Sequence, residues 1–408
     1  MTATTKPSAT KPATPKPTPK PKPKPKPKAT ATATATATKS TAPKPKSQTA
    51  KRHSATAPPL PDGVRVPPTA PTGPKVSANG PRPIAQPAVA LLAPKAPWVP
   101  PTPSPLERTV GITVGTMAAL ASPLLAIPLG RIFAPLAIDP ATLELQPEEL
   151  GDPGWFGPDS VAWKVHADGS LLIAGITAFA LQALHPLAMA GVAEHSAFAE
   201  DFIGRTQRTG DFVQGVVYGS STEADRLCRM VYKIHGRVVG NTPDGRPYAA
   251  NDPDLLHWVH ITEYAAIAAA NRRFSLRPMD RRELDTYVGE VSRVGIATGV
   301  IDPPTDWNGI NAALERHRPN LGTAEYGAAA ISFLESPPMI PDSAMPVWQA
   351  LWNGAVACLP PIAHDLLRLK MPSERELSVT RAVLRTLGAP GGTTPRLVAA
   401  RKRLAIQP

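Results

Sequence analysis

The stretch LLIAGITAFALQALHPLAMAGVAEHS, residues 171–196, most constrains what this chain can become. Its first fourteen residues carry only Thr177 and Gln182 as polar side chains. A helix that is apolar all round must be covered on every side by other elements. Pro186 then breaks or kinks it, because proline lacks the amide donor and crowds the preceding turn. The expected fold is therefore a bundle of helices packed around this segment.

The flanking sequence supplies partners of the right kind. PDSVAWKVHADGS opens with a Pro-Asp helix start, and TEADRLCRMVYKIHGRVVG, residues 222–240, places Thr222 at a cap with acids in the first turn and Gly240 at the end. The turn NTPDGRPYAANDP follows. Six further amphipathic segments run from Asp254 to Leu387, each closed by Pro or Gly punctuation. Strand alternation is scarce and no internal repeat is evident. The fold class is all-α, a single large domain of about ten helices.

Proline and charge say where that domain is not. Of 52 prolines, 27 fall in residues 1–105, and those residues carry 17 Lys and Arg against one acid, Asp62. Their formal charge of +16 leaves −4 for the remainder of a chain whose net charge is +12. Whole-chain charge is thus no argument for a nucleic-acid partner, and no specific nucleic-acid motif is present. The repeats KPKPKPKPK and ATATATAT have almost no aromatics and no apolar period, so residues 1–105 are expected to be a disordered basic tail. Such a tail serves as a spacer or as a tether to a polyanion or anionic surface.

The expected organisation is this tail at 1–105, an apolar lead-in helix and connector at 106–150, the helical catalytic domain at 151–390, and a basic C-terminal segment at 391–408. The lead-in contains ITVGTMAALASPLLAIPLG, about the length of a membrane span but holding two prolines and two glycines, which favours a packed or surface-lying helix. Two cysteines, Cys228 and Cys358, cannot form a disulfide framework or a four-thiolate metal site, and they suit a reducing compartment. No compact apolar run of a secretory signal opens the chain. The expected location is cytoplasmic, with peripheral membrane association as the alternative.

Phosphate-cradling glycine loops, nucleophile elbows and zinc-spaced Cys/His clusters are all missing from the sequence. What stands out is GRTQRTGDFVQGVVYG upstream of YKIHGRVVG. Arg205, Arg208 and Thr209 recur at i, i+3 and i+4, with Phe212 and Val216 continuing the face. Two guanidiniums beside an aromatic call for an anionic or polarised ligand, unless they are surface arginines paired with Asp201 or Asp211. His235 shares a face with Leu227, Val231, Ile234 and Val238, and either packs in the core against a carbonyl or serves as an axial metal ligand. His185, Glu194, His195 and His260 form a further set from which a non-haem iron site could be drawn.

LQALHPLAMAGVAEHSAFAEDFIGRTQRTGDFVQGVVYG followed by IHGRVVGNTPDGRPYAANDPDLLHWVHITE resembles the catalytic domain of the MpaB and rubber-oxygenase (latex-clearing protein) family, from about Trp155 to about Leu334. The resemblance implies an all-α fold and one b-type haem, haem b, with His235 as its proximal axial ligand. The family's distal cluster is Arg, two residues, Lys, Thr, and here the string is Arg205, Thr206, Gln207, Arg208, Thr209. A guanidinium stays protonated and offers no lone pair, so Arg208 cannot ligate iron as the lysine does. The implied activity is an oxygenase acting with dioxygen on a small apolar, isoprenoid or lipid-like substrate, with Arg205, Arg208 and Thr209 as catalytic polar groups. The readings from other classes are a non-catalytic lipid-binding protein tethered by the tail, and a non-haem iron oxygenase.

Overall fold

The apolar run becomes a buried central helix. In the computed structural model, which describes residues 96–103, 143, 146–196, 201–387 and 394–405, thirteen α-helices, three short 3-10 turns and one two-stranded antiparallel hairpin make up the regular structure of the described residues, so the fold is all-α. The Lys-Pro and Ala-Thr repeats and the apolar stretch 112–130 lie outside the described residues.

Helix α1 (Val161–His166) leads into α2 (Leu171–Gln182), whose Ile173, Ala174, Ile176, Thr177, Ala178, Ala180 and Leu181 are buried. Thr177 is satisfied inside the core by donating to the Ile173 carbonyl at 2.9 Å. The chain turns at His185–Pro186 into α3 (Pro186–His195), bent by 111° from α2. The α4 helix (Phe202–Tyr218) and α5 (Ser221–His235) form the next antiparallel pair. The longest helix, α6 (Pro253–Phe274), packs more extensively on α2 than any other pair of elements does. Its Ala265, Ala266, Ala268, Ala269 and Ala270 are all buried, and such small side chains let the two helix backbones come close.

Around this pair lie α7 (Arg281–Ala297), α8 (Trp307–His317), α9 (Glu325–Glu335), α10 (Met345–Ala357), α11 (Pro361–Leu367), α12 (Glu374–Thr386) and α13 (Pro395–Arg403). Among the described residues no single helix is long and apolar enough to cross a membrane, and only the bent pair α2 and α3 reaches that length together.

Three local expectations change. The cap of α5 is Ser220, whose Oγ accepts from the Glu223 amide at 3.1 Å, two residues before Thr222. That helix ends at His235, five residues before Gly240, because the chain leaves it to form the hairpin β1 (Val239–Asn241) and β2 (Pro247–Ala249). Gly240 pairs with Tyr248 there, and a Cβ at 240 would lie 2.5 Å from the Tyr248 hydroxyl, so the glycine is needed for close approach. The apolar stripe is also incomplete, since Ile234 is 51% exposed.

Residues 96–103 belong to the packed structure although composition groups them with the tail. Trp98 supplies what the tail otherwise lacks: its ring lies 5.3 Å from that of Trp307, its carbonyl accepts from Trp307 Nε1 at 2.6 Å, and its amide donates to Asn311 at 2.8 Å. At the other terminus α13, from the segment set apart by its basic charge, packs on α4.

Candidate active site

A cavity of about 230 Å³ runs beside α2, closed by α4, α6, α9 and α10. The segment Leu171–Gln182 provides one wall through Leu171, Leu172, Phe179 and Gln182. Opposite it, α4 presents Phe202, Arg205, Thr206, Thr209 and Val213, residues that fall on one face because they recur every three or four positions. Glu263 and Ile267 enter from α6, one turn apart, and Leu334 and Trp348 come from α9 and α10. Trp348 Nε1 donates to the Leu334 carbonyl at 2.7 Å, so its indole faces the cavity without an unmet polar atom.

Arg205 lies with its guanidinium carbon 5.8 Å from the centre of the Phe179 ring. It makes no hydrogen bond or ion pair among the described residues. Burial, then the neighbouring Arg208 charge, weakens its hold on a proton, and the Glu263 carboxylate partly restores it. Glu263 retains some exposure, to the cavity itself, yet the protein around it excludes water. Burial pushes its carboxyl up to about 7, against the opposing pull of a hydrogen bond from Gln182 Nε2 at 3.4 Å and of the Arg205 charge.

His235, at the last turn of α5, is partly buried. Its Nδ1 is buried without a hydrogen-bond partner among the described residues. Burial, followed by the charge of Arg205, lowers its affinity for a proton and keeps the imidazole neutral at physiological pH. His235 is not among the cavity-lining residues, so Arg205 is the group that both lines the cavity and acts electrostatically on the imidazole.

Arg208 is placed elsewhere. Its side chain is 66% exposed and pairs with Asp201 at 3.0 Å. The ion pair draws Arg208 away, and Thr209 is the residue of the two that lines the cavity. The face begun by Arg205 and Thr209 continues to Val213 and not to Phe212 or Val216.

The histidine set does not converge. His185 lies with its ring 6.1 Å from Trp258 and 6.3 Å from His317, and burial lowers its pKa to about 4. His195 Nε2 is 3.0 Å from the Tyr248 hydroxyl, which in turn donates to Glu194 at 2.5 Å. His260 packs 4.9 Å from the Tyr264 ring, its pKa lowered to about 3 by burial. These are three separate environments. Among the described residues no group of three His, Cys, Asp or Glu is gathered to hold a metal ion.

A further histidine arrangement is not visible in the sequence pattern: the Arg316 guanidinium lies 2.7 Å from His257 Nε2 and 3.0 Å from its Nδ1, and that Nδ1 is 2.9 Å from His317 Nε2. Glu263 was missed as well. Its signal was a single acid inside ITEYAAIAAA, a run otherwise fit only for burial. A larger cavity of about 320 Å³ lies between residues 96–98, α8 and α11, away from Arg205, Glu263 and His235.

Residues 163–389 match the family model described as ER-bound oxygenase mpaB/B'/rubber oxygenase, catalytic domain. No curated protein and no solved structure matches the chain.

Proposed function

The chain belongs to the MpaB/rubber-oxygenase catalytic-domain family, and from that premise we propose that it is a haem-dependent oxygenase acting on a small apolar substrate of isoprenoid or lipid-like character. The observation that carries this reading is the apolar cavity into which Arg205 and Thr209 project, with the charge of Arg205 also reaching a neutral, partly buried imidazole at His235.

The donor chemistry of His235, a buried imidazole whose Nδ1 has no hydrogen-bond partner among the described residues, fits a haem ligand. A histidine ligates a metal through its neutral imidazole, and burial keeps His235 in that form. His235 would hold the iron, and haem b would supply dioxygen and one-electron chemistry that no side chain of this site has. The remaining steps fall to the protein. Phe202, Ile267, Leu334 and Trp348 exclude water and hold the apolar substrate. Arg205 directs hydrogen-bond donors at oxygen atoms entering the cavity, where low dielectric strengthens such bonds, and Thr209, which lines the same cavity while remaining exposed, offers a further hydroxyl. Arg208 is left on the surface with Asp201.

The test is an absorption spectrum of the purified chain and of His235→Ala. The expected result is an intense Soret band in the parent that is lost in the variant, while the far-ultraviolet circular dichroism stays helical. A parent chain without the band, or a variant that keeps it, overturns the assignment.

A further inference from the structure

The polar groups of the cavity are not equally available. Thr206 donates its hydroxyl to the Phe202 carbonyl at 2.8 Å. Gln214 donates to the His166 carbonyl at 3.1 Å and accepts from Thr394 at 3.3 Å. Those lining residues are already partnered. Capacity remains on Gln182, Arg205, Thr209 and Glu263.

Three of these four gather at one end. Gln182 is the last residue of α2 and bonds to Glu263, and Arg205 lies over Phe179, one turn before Gln182. The other end of the same wall is Leu171 and Leu172, about 16 Å away at 1.5 Å per helical residue. The cavity therefore has a polar pole and an apolar shaft. A cation without a full counter-ion in an apolar cavity is costly, and the nearest carboxyl, Glu263, pushed up to about 7 by burial, is only about half ionised at pH 7.

We propose that this cavity binds an acyl chain by its carboxylate, which accepts from the Arg205 guanidinium and from the protonated Glu263 carboxyl while the chain lies along α2. The proposal rests on the reading of this cavity as the substrate site and names the substrate class as a carboxylic acid. Gln182 Nε2 donates to Glu263 Oε2, leaving Oε1 to carry the shared proton. A volume of about 230 Å³ corresponds to roughly eight water-sized groups, so a chain of about that many heavy atoms fits the present shape. The charged and titratable groups facing Glu263 are Arg205 from α4, with Tyr264 beside it on α6 and Tyr287 from α7, both phenols held protonated by burial.

Calorimetric titration of the full chain with octanoate, octanol and methyl octanoate at pH 6 and pH 8 tests this. Octanoate is expected to bind at least tenfold tighter than the two neutral ligands at pH 6, and to weaken about tenfold by pH 8 as Glu263 ionises. Glu263→Gln keeps a donor without the charge and should bind equally at both pH values. Arg205→Met should reduce octanoate to the affinity of octanol. Octanol binding as tightly as octanoate overturns the proposal, and so does an unchanged pH dependence in Glu263→Gln. If that variant loses its helical circular dichroism, the ligand series on the parent chain still decides. Displacement of octanoate by added haem would assign the Arg205 pole to a haem propionate and overturn the acyl reading. A missing Soret band with octanoate bound would remove the oxygenase reading alone.

Discussion

Two arginines meet helix α4 and are treated in opposite ways. Arg396, from α13, is buried, yet its guanidinium donates to Asp211 at 2.9 and 3.0 Å and to Glu223 at 2.6 Å. Burial alone would weaken its hold on a proton, but Glu223 and Asp211 outweigh it. Gly215 leaves room on this side, since a Cβ there would meet Leu227 Cδ1 at 2.5 Å and stand 3.2 Å from the Arg396 guanidinium carbon. Arg205, on the cavity side of α4, has an aromatic ring beneath it and no acid in hydrogen-bond reach among the described residues. The first arginine is a structural clamp whose charge is spent within the protein. The second keeps its charge for something that enters.

The largest expected effect separates the two. Arg396→Ala leaves Asp211 and Glu223 facing each other across a vacated site and should cost about 3 kcal/mol, the low end for a broken buried pair because both acids keep some solvent. Arg205→Met removes an unpaired cation from apolar surroundings and should be neutral or stabilise by up to about 1 kcal/mol. Urea denaturation of both variants measures the difference. Equal losses would erase the distinction between clamp and site.

Glu263 gives the next effect. An acid whose folded pKa is raised binds protons that the unfolded chain has released, so stability falls as pH rises from the unfolded value near 4.5 through the folded value of about 7. The shift corresponds to about 3 kcal/mol above pH 7, and Glu263→Gln should recover most of it there and little at pH 4.5. The buried histidines act in the opposite direction. His166 and His260, lowered to about 3, and His185 and His257, lowered to about 4, stay neutral in the fold while the unfolded chain protonates below about 6.5. Their contribution is lost as pH falls, so only the difference between parent and variant isolates Glu263. A difference that does not grow between pH 4.5 and 7 would place the carboxyl in ordinary solvent.

The contrast also marks what the sequence could convey. The central helix and its all-α surroundings were legible because an apolar run with two polar residues has one physical solution. Arg205 and Thr209 were legible as a shared face because helical spacing alone puts them together. Spacing is silent on which side of that face a neighbour leaves open, and so it groups Arg208 with them; the alternative of a surface pair with Asp201 is the one Arg208 adopts, while Arg205 pairs with neither Asp201 nor Asp211. Gly240 read as a helix stop because the hairpin that claims it is three residues long on each side and depends on Tyr248. The role of Arg396 depends on acids more than 170 residues away in sequence, which no local pattern encodes.

Arg208 gives the smallest expected effect and the sharpest check on direction. Its ion pair with Asp201 is exposed on both sides, where solvent screening leaves about 0–1 kcal/mol. Arg208→Lys preserves the charge and enough reach to keep that pair, so the stability change should stay within about 0.5 kcal/mol. A lysine amine, unlike a guanidinium, can become a metal ligand once deprotonated. It can do so only if residue 208 turns toward the space that Arg205 and Thr209 face. With the side chain drawn to Asp201, the spectrum of a haem-loaded Arg208→Lys chain should match that of the parent. A shift to a six-coordinate low-spin spectrum would mean that α4 presents all three residues to one ligand, and the division between the two sides of that helix would then have to be redrawn at Arg208.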